Sequence, residues 1–249
     1  MSDPRYPNPY VPSPSPTGGP LATPADAATR TIPDARTQQA LLTQAFLWMF
    51  VGLAVTAGVS FVVQSNTRLL EFAGNNWLIL VVGQLALALG IQFGIRRINA
   101  TAALGLFFVY AASLGLTIGL IVSFYTVGSV ATAFLSASAM FGAAAIYGHV
   151  TKRSLAGLGG LLFMGVIGLL VASVINIFLL NSMLSWIISI IGVVIFTALT
   201  AYDVQRIQNG DLAVYTGSVE KAAVLGALHL YLDFVNLFLF LLRLFGNRE

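Results

Sequence analysis

The sequence predicts an all-α polytopic membrane protein with seven transmembrane helices. Charged residues occupy only 8% of the 249 positions, against about 25% in a typical soluble domain, and the mean hydropathy is +0.87. Long stretches without Asp, Glu, Lys or Arg follow one another, at 37–67, 72–95, 98–151 and 154–202. So few charges cannot cover the surface of a water-soluble domain, which excludes the class of soluble enzymes.

The first 36 residues differ in composition from the rest of the chain. All nine prolines lie there, among serine, glycine and alanine, and no apolar periodicity is present. Such a segment cannot bury enough apolar surface to fold. We therefore predict a disordered, Pro-rich cytoplasmic tail over residues 1–36 and a seven-helix transmembrane domain over residues 37–249.

The lengths of the charge-free stretches predict the individual helices. A membrane-crossing helix needs about 20 apolar residues, so the first two stretches hold one helix each and the next two hold two each. A last apolar segment near the C-terminus is interrupted only by Asp233. The predicted spans are 41–63, 77–95, 101–123, 131–150, 156–179, 183–206 and 222–245.

The basic residues predict the orientation of these spans. One side holds the tail and the even-numbered loops, with Arg5, Arg30, Arg36, Arg96, Arg97, Lys152, Arg153, Arg206 and Lys221. The other side holds Arg68, Arg243 and Arg248. Because cytoplasmic loops are enriched in Lys and Arg, the N-terminus is expected in the cytoplasm and the C-terminus outside. Basic residues at helix ends mark topology, so we expect the lipid bilayer as a partner and no nucleic acid.

Small residues predict where helices pack closely. Gly90 and Gly94, and likewise Gly115 and Gly119, are four residues apart, and the fourth span is mostly Ala, Ser and Gly. Within lipid, close backbone approach is a main source of helix association. We expect these positions to be packing surfaces.

Two acids, Asp203 and Asp233, lie within predicted spans. A charge at the bilayer centre costs about 2.5–3.5 kcal/mol on insertion scales, so such residues usually face the bundle interior and are functional. On each helix, the acid shares one face with small and polar residues. These stripes are Ser189, Gly192, Phe196, Thr200 and Asp203 on the sixth span and Gly226, His229, Asp233, Asn236 and Phe240 on the seventh. We expect the two stripes to face each other.

If the two carboxyl groups meet, they cannot both ionise cheaply, and the pair is expected to titrate as a unit. Arg96 and Arg97 end the second span on the same side of the membrane. An ion pair between one of them and Asp203 would close the cytoplasmic end of the bundle, its mouth, until Asp203 is protonated, and we call this ion pair the latch. The two arginines are explained equally well as ordinary basic residues at the cytoplasmic end of a helix. The alternative to an aspartate pair is two separate acids, each hydrogen-bonded to hydroxyl groups and interfacial water.

Several motifs, in order, resemble the Bax inhibitor family, the transmembrane Bax inhibitor motif proteins, in its bacterial branch. They are Tyr147–Leu155, Phe163–Gly165, Asn176, Ala201–Gln205 (AYDVQ) and Leu230–Phe238 (LYLDFVNLF), within a resemblance that covers about residues 38–249. The resemblance implies helix seven wrapped by the other six, a pH-dependent calcium leak, and a bacterial inner membrane location. It also implies that Asp203 and Asp233 are the proton sensor and that Arg96, with Arg97 close behind, is the latch.

These observations favour a pH-sensitive calcium (cation) leak channel gated by protonation of the aspartate pair. Calcium prefers six to eight oxygen ligands, so Asp203 and Asp233 with carbonyls and water would form only a weak, transient site. We expect supporting polar roles for His229, Asn236, Thr200 and Tyr202. The expected partners are then Ca²⁺ as the permeant ion and protons as the gating ligand. No cofactor is expected.

Two other classes of function compete with the leak. Intramembrane aspartyl proteases also place Tyr-Asp on one helix and Asp on the next, but they use Gly-x-Gly-Asp and a later Pro-Ala-Leu. Here the second acid follows Leu230-Tyr231-Leu232 and no proline follows it, so we do not expect an enzyme. A non-transporting regulator that binds another membrane protein, such as a quality-control protease, stays open.

Overall fold

The computed structural model describes residues 35–247, so nearly all of the predicted tail lies outside the described residues. The helices are α1 (Ala35–Gln64), α2 (Thr67–Asn75), α3 (Trp77–Gly94), α4 (Ala100–Val122), α5 (Val127–Val150), α6 (Gly159–Leu179), α7 (Ser182–Gln208), α8 (Asp211–Thr216) and α9 (Val219–Phe245). A 3₁₀ turn, Ala156–Leu158, precedes α6. Within residues 35–247 seven helices are long and apolar enough to cross a membrane, which confirms the predicted class of all-α polytopic membrane protein.

Polar N-caps explain why some helices begin before the predicted spans. The side chain of Thr126 accepts a hydrogen bond from the Ser129 amide at 3.2 Å, so α5 begins at Val127 rather than 131. The side chain of Ser218 likewise accepts from the Lys221 amide at 3.3 Å and starts α9 at Val219 rather than 222. Such caps satisfy amides that have no partner within the helix.

Two short helices occupy connections that the hydropathy pattern does not predict. Asn66 caps α2 by accepting from the amides of Arg68 and Leu69. Glycines with positive φ, Gly210 at 78° and Gly217 at 71°, bracket α8. These turns need a backbone conformation that glycine adopts without steric cost, and they return the chain into α9.

The last helix is the most enclosed of the seven. In its most apolar stretch 72% of residues are buried, against at most 44% in each of the other six. It packs against α1, α4, α5, α7 and α8.

The two glycine pairs behave differently. A methyl group at Gly115 would meet Val59 Cβ at 2.7 Å, and one at Gly119 would meet Val63 Cβ at 2.8 Å, so α4 and α1 pack there with their backbones close together. The predicted packing surface at Gly90 and Gly94 is wrong, because nothing lies within 4 Å of either Cβ position. These two glycines belong to α3, which is almost wholly exposed and packs mainly on α4.

A buried hydroxyl pair ties three helices together. The Oγ1 of Thr56 lies 2.6 Å from the hydroxyl of Tyr231, and it is also 2.9 Å from the carbonyl oxygen of Ala111 and 3.0 Å from that of Gly52. A threonine has a single proton, so when Thr56 donates to a carbonyl, Tyr231 is the donor to Thr56. This contact joins α1, α4 and α9 at the core.

Removing the hydroxyl of Tyr231 is expected to weaken the bundle measurably. Tyr231→Phe should lower the free energy of unfolding by about 1 kcal/mol, because one interhelical hydrogen bond is lost. Reversible unfolding in detergent measures this change, and Tyr147→Phe, at a half-exposed position on α5, is the matched control. Equal stability of the two variants would contradict the assignment.

Candidate functional site

The structure brings the two membrane-embedded acids together. Asp203 on α7 is 7% exposed and Asp233 on α9 is 3% exposed, and their carboxyl groups lie within hydrogen-bonding reach of each other. The Oδ2 of Asp233 is buried without a hydrogen-bond partner. An unpartnered carboxyl oxygen in a bilayer-embedded bundle is costly, so this position indicates function rather than structure.

His229 connects the acids to a third helix. Its Nδ1 is 3.5 Å from the Oδ1 of Asp203, and its Nε2 is 2.9 Å from the Oε1 of Gln92 on α3. The first distance is long for a hydrogen bond, and Nδ1 is otherwise buried without a partner. A protonated His229 could donate to Gln92 and form an ion pair with Asp203 at the same time.

A cavity of about 700 Å³ lies against these three side chains. Its lining comes from α3, α4, α6, α7 and α9. The polar and charged lining residues are Gln84, Gln92, Tyr110, Ser173, Tyr202, Asp203, Arg206, His229, Asp233 and Asn236. Most other lining residues are aliphatic or phenylalanine, so the cavity is an apolar cleft with a cluster of polar groups.

The cavity occupies one half of the bundle, at the end that carries the basic loops. From the basic end inward, its lining runs from Gln92 to Val81 on α3 and from Arg206 to Phe196 on α7. At 1.5 Å rise per residue these runs are about 16 Å and about 15 Å long. On α6 the lining runs from Gly159 to Ser173, about 21 Å, so the cavity extends over at least half of the roughly 30 Å that a membrane-crossing helix spans.

Two phenylalanines close the inner end of the cavity. Phe196 and Phe240 are its deepest lining residues on α7 and α9, and their ring centroids are 5.8 Å apart. One helical turn further along α7, a Cβ at Gly192 would be 2.5 Å from the Phe240 ring, and Ser189 beyond it is fully buried. The predicted facing of the two stripes is thus observed along α7 and α9.

The two arginines predicted as latch lie elsewhere in this conformation. The guanidinium of Arg96 lies over the ring of Tyr215, 5.9 Å from its centroid, and the Arg96 carbonyl accepts from the Lys221 ammonium at 3.4 Å. Within residues 36–247, neither Arg96 nor Arg97 forms an ion pair with Asp203. Arg206, one turn from Asp203 on α7, is the arginine that lines the cavity.

Of the other polar residues predicted for the site, some line the cavity and one does not. Tyr202 and Asn236 line the cavity, whereas the Thr200 hydroxyl is buried and donates to the Phe196 carbonyl of its own helix. Gln92 was not predicted as a site residue, because nothing in the sequence indicates that α3 reaches His229.

Gln205 also has a structural role that spacing alone does not reveal. Its amide donates to the Arg153 carbonyl at 2.9 Å, and its Oε1 accepts from the Leu155 amide at 2.7 Å. These two bonds fasten the loop between α5 and the 3₁₀ turn to α7, two residues after Asp203. The basic loop is thereby fixed beside the acid pair.

This geometry defines a class: a seven-helix membrane protein with a buried acid pair beside a half-membrane cavity. The family model described as "Inhibitor of apoptosis-promoting Bax1" matches residues 38–249. The chain therefore belongs to the Bax inhibitor family.

Bacterial relatives match over most of their length. The inner membrane protein YbhL of Escherichia coli K12 is 42% identical over 217 residues, which covers 85% of this chain and 93% of that protein. An uncharacterized protein of Deinococcus radiodurans is 40% identical over 223 residues, covering 86% and 96%. One of Borreliella burgdorferi is 36% identical over 213 residues, covering 84% and 92%.

Proposed function

We propose that this protein is a pH-sensitive cation leak, with Ca²⁺ as the permeant ion, gated by protonation of the Asp203–Asp233 pair. The single observation that carries the proposal is the contact between these two buried carboxyl groups at the wall of the cavity. Buried acids that meet in a bilayer can share a proton between them, and they bind a cation when that proton is released. We place the protein in a bacterial inner membrane with its N-terminus in the cytoplasm, which YbhL and the distribution of basic residues favour.

The donor chemistry favours a calcium ion in transit over a resident one. The cavity offers carboxylate oxygens from two aspartates and amide oxygens from Gln84 and Asn236, all hard donors that suit Ca²⁺. Among residues 35–247 no group of three or more His, Cys, Asp or Glu is arranged to hold a metal ion. Two carboxylates with water would bind calcium weakly and release it readily.

The pH response follows from the charges that face the pair. The titratable groups that line the cavity with the pair are His229 on α9, Arg206 and Tyr202 on α7, and Tyr110 on α4, whereas Arg96 lies just beyond the end of α3, over Tyr215. At high pH Asp203 is ionised and attracts the arginines, which would draw Arg96 toward the mouth and latch it. A proton on Asp203 removes that attraction. The leak should therefore rise as the pH falls.

In this proposal the described conformation is the unlatched one. Asp203 faces Asp233 and His229, while Arg96 lies over Tyr215. Phe196 and Phe240 then close the inner end of the cavity. Passage of an ion requires these two rings to move apart, because closely packed rings leave no room for a hydrated cation.

Removing one ring of the inner closure is expected to raise the leak. Phe240→Ala should increase calcium efflux severalfold at every pH, because the cavity would extend past Gly192 toward the other half of the bundle. Efflux from proteoliposomes loaded with calcium and a fluorescent indicator measures this change. Phe238→Ala is the matched control, since Phe238 lies on the same helix, is buried, and packs on Phe134 outside the cavity. Equal efflux from both variants would contradict an aromatic closure.

Calcium efflux from proteoliposomes across a pH series tests the leak itself. Purified protein should release calcium faster at low pH, and protein-free vesicles should not. If no calcium flux exceeds that of empty vesicles at any pH, the leak is wrong. A non-transporting regulator would then be favoured, and cross-linking in native membranes should yield a stoichiometric membrane-protein partner.

A further inference from the structure

We propose that the cleft between α3 and α6 binds a hydrophobic amine from the surrounding lipid. The ligand class is a single alkyl chain with one ammonium group. Its ammonium would lie against the Asp203–Asp233 pair, on the side that faces the cavity, and its chain would follow the apolar wall toward Phe240. Binding needs only the cleft and the two acids, so it does not depend on ion conduction.

The cleft opens sideways, toward lipid. Helices α3 and α6 are the least buried of the spans, at 11% each; α3 packs mainly on α4 and α6 mainly on α7. Leu85, Leu89, Phe163 and Leu170 line the cavity and are nevertheless 46–64% exposed. Side chains that face both the cavity and the outside mark an opening, so a ligand dissolved in the bilayer can enter between the two helices.

The polar end of the cleft has an unfilled need for a hydrogen-bond donor. Asp233 is 3% exposed and lines the cavity, and its Oδ2 has no partner. Asn236 donates to a carbonyl of its own helix, and His229 Nε2 is paired with Gln92. Only a protonated Asp203 or the Nδ1 of His229 could therefore supply that donor from within the protein, and neither adds a positive charge to the two carboxyl groups without itself taking up a proton. An ammonium carries three N–H donors and the charge that complements two carboxylates.

The depth of Asp203 in the membrane favours an alkylamine over a common membrane phospholipid. Asp203 is three residues before Arg206 on α7, about 5 Å deeper in the membrane. A phospholipid with an ethanolamine headgroup carries its ammonium outside its phosphate, so its ammonium could reach Asp203 only by inverting the headgroup. In an alkylamine the ammonium is attached directly to the chain, and no inversion is needed.

The length and the volume of the cavity also suit a single alkyl chain. The wall from Asp233 to Phe240 is about 10 Å long, which an extended alkyl chain of about eight carbons matches. A cavity of about 700 Å³ is within the usual 300–1,000 Å³ of ligand sites, and its walls are apolar with few polar groups, as such sites usually are. An anionic fatty acid of the same length would be repelled by the two carboxylates.

Photolabelling of the full chain in nanodiscs tests the proposal. The probe is a primary alkylamine of this length with a diazirine in its chain, and the comparison probe is the alcohol of identical chain. Saturable labelling of peptides from α3 and α6 should be about tenfold stronger with the amine, because only the ammonium makes charge-assisted hydrogen bonds. Unlabelled alkylamine should compete, whereas ethanolamine phospholipid in the nanodisc should not.

Matched variants separate the site from general membrane labelling. Asp203→Asn/Asp233→Asn should bring amine labelling down to the level of the alcohol, whereas Asp211→Asn, at an exposed position on α8, should leave it unchanged. Val166→Trp should block the cleft, whereas Ile167→Trp, on the same helix and not among the cavity-lining residues, should not. Size-exclusion profiles confirm that each variant is folded.

Each result decides the matter. Equal labelling by amine and alcohol would overturn the proposal, as would labelling that Val166→Trp leaves intact. Displacement of the probe by ethanolamine phospholipid would assign the cleft to a membrane lipid instead. Because the readout is binding, a protein that conducts no calcium but labels as expected would refute the leak and leave this site standing.

Discussion

Asp203→Asn is expected to give a calcium leak that no longer depends on pH and stays at the high level of the wild type at low pH. Asparagine has nearly the shape of aspartic acid but carries no charge, so it cannot hold Arg96 in a latch. In the wild type, efflux should rise severalfold from the highest to the lowest pH of the series. In Asp203→Asn the change should be under about twofold.

Asp233→Asn separates gating by the charge of Asp203 from binding of calcium by the carboxylates. It leaves Asp203 free to ionise and to attract Arg96, so a pH response should persist, shifted because the neighbouring negative charge is gone. In the proposed open state Asp203 carries a proton, so Asp233 is the carboxylate left for calcium, and its loss should lower efflux at low pH. Asp211→Asn is the control for removal of one acid, because Asp211 is exposed and does not line the cavity.

Arg96→Gln gives an independent check of the latch. If the latch is an ion pair between Arg96 and Asp203, this variant should leak at high pH as Asp203→Asn does, and combining the two changes should add little. Wild-type pH dependence in Asp203→Asn would exclude gating by the pair. A normal response in Arg96→Gln alone would exclude Arg96 and direct attention to Arg206, which lines the cavity.

The spans could be predicted from sequence because lipid imposes a simple rule. A helix that crosses the bilayer must be apolar for about 20 residues, so charge-free stretches locate it directly. The short helix α2 escapes this rule because it carries Arg68 and Glu71 and is stabilised by an N-cap and by packing. Likewise, a glycine pattern cannot tell packed from lipid-facing glycines, which is why Gly90 and Gly94 were assigned wrongly while Gly115 and Gly119 were not.

The acid pair was predictable, whereas its surroundings were not. The cost of burying a charge in lipid singles out Asp203 and Asp233, and helical periodicity puts each on a definable face. The contact of His229 with Gln92 depends on how α3 lies against the bundle, and no local pattern records that. The cavity exists because α3 and α6 stand apart, a property of packing that appears only in three dimensions.

The second large effect is expected where α5 crosses α7. At Gly148 a Cβ atom would collide with the backbone of Ala201, with its carbonyl oxygen nearest and its Cα at 2.9 Å. Backbone on both sides cannot give way as a side-chain end can. Gly148→Val should therefore force the two helices apart and lower the free energy of unfolding by more than about 3 kcal/mol, as severe overpacking does.

Separating α5 from α7 at this point should also disturb the acid pair, because Ala201 is two residues before Asp203. Thermal unfolding in detergent, followed by size-exclusion chromatography, measures the loss of stability. Gly142→Val is the matched control on the same helix, since nothing lies within 4 Å of its Cβ position. If both variants unfold at the wild-type temperature, the close crossing at Gly148 is not what holds α7 in place. If only Gly148→Val is unstable, the close backbone contact between α5 and α7 is needed for the stability of the bundle.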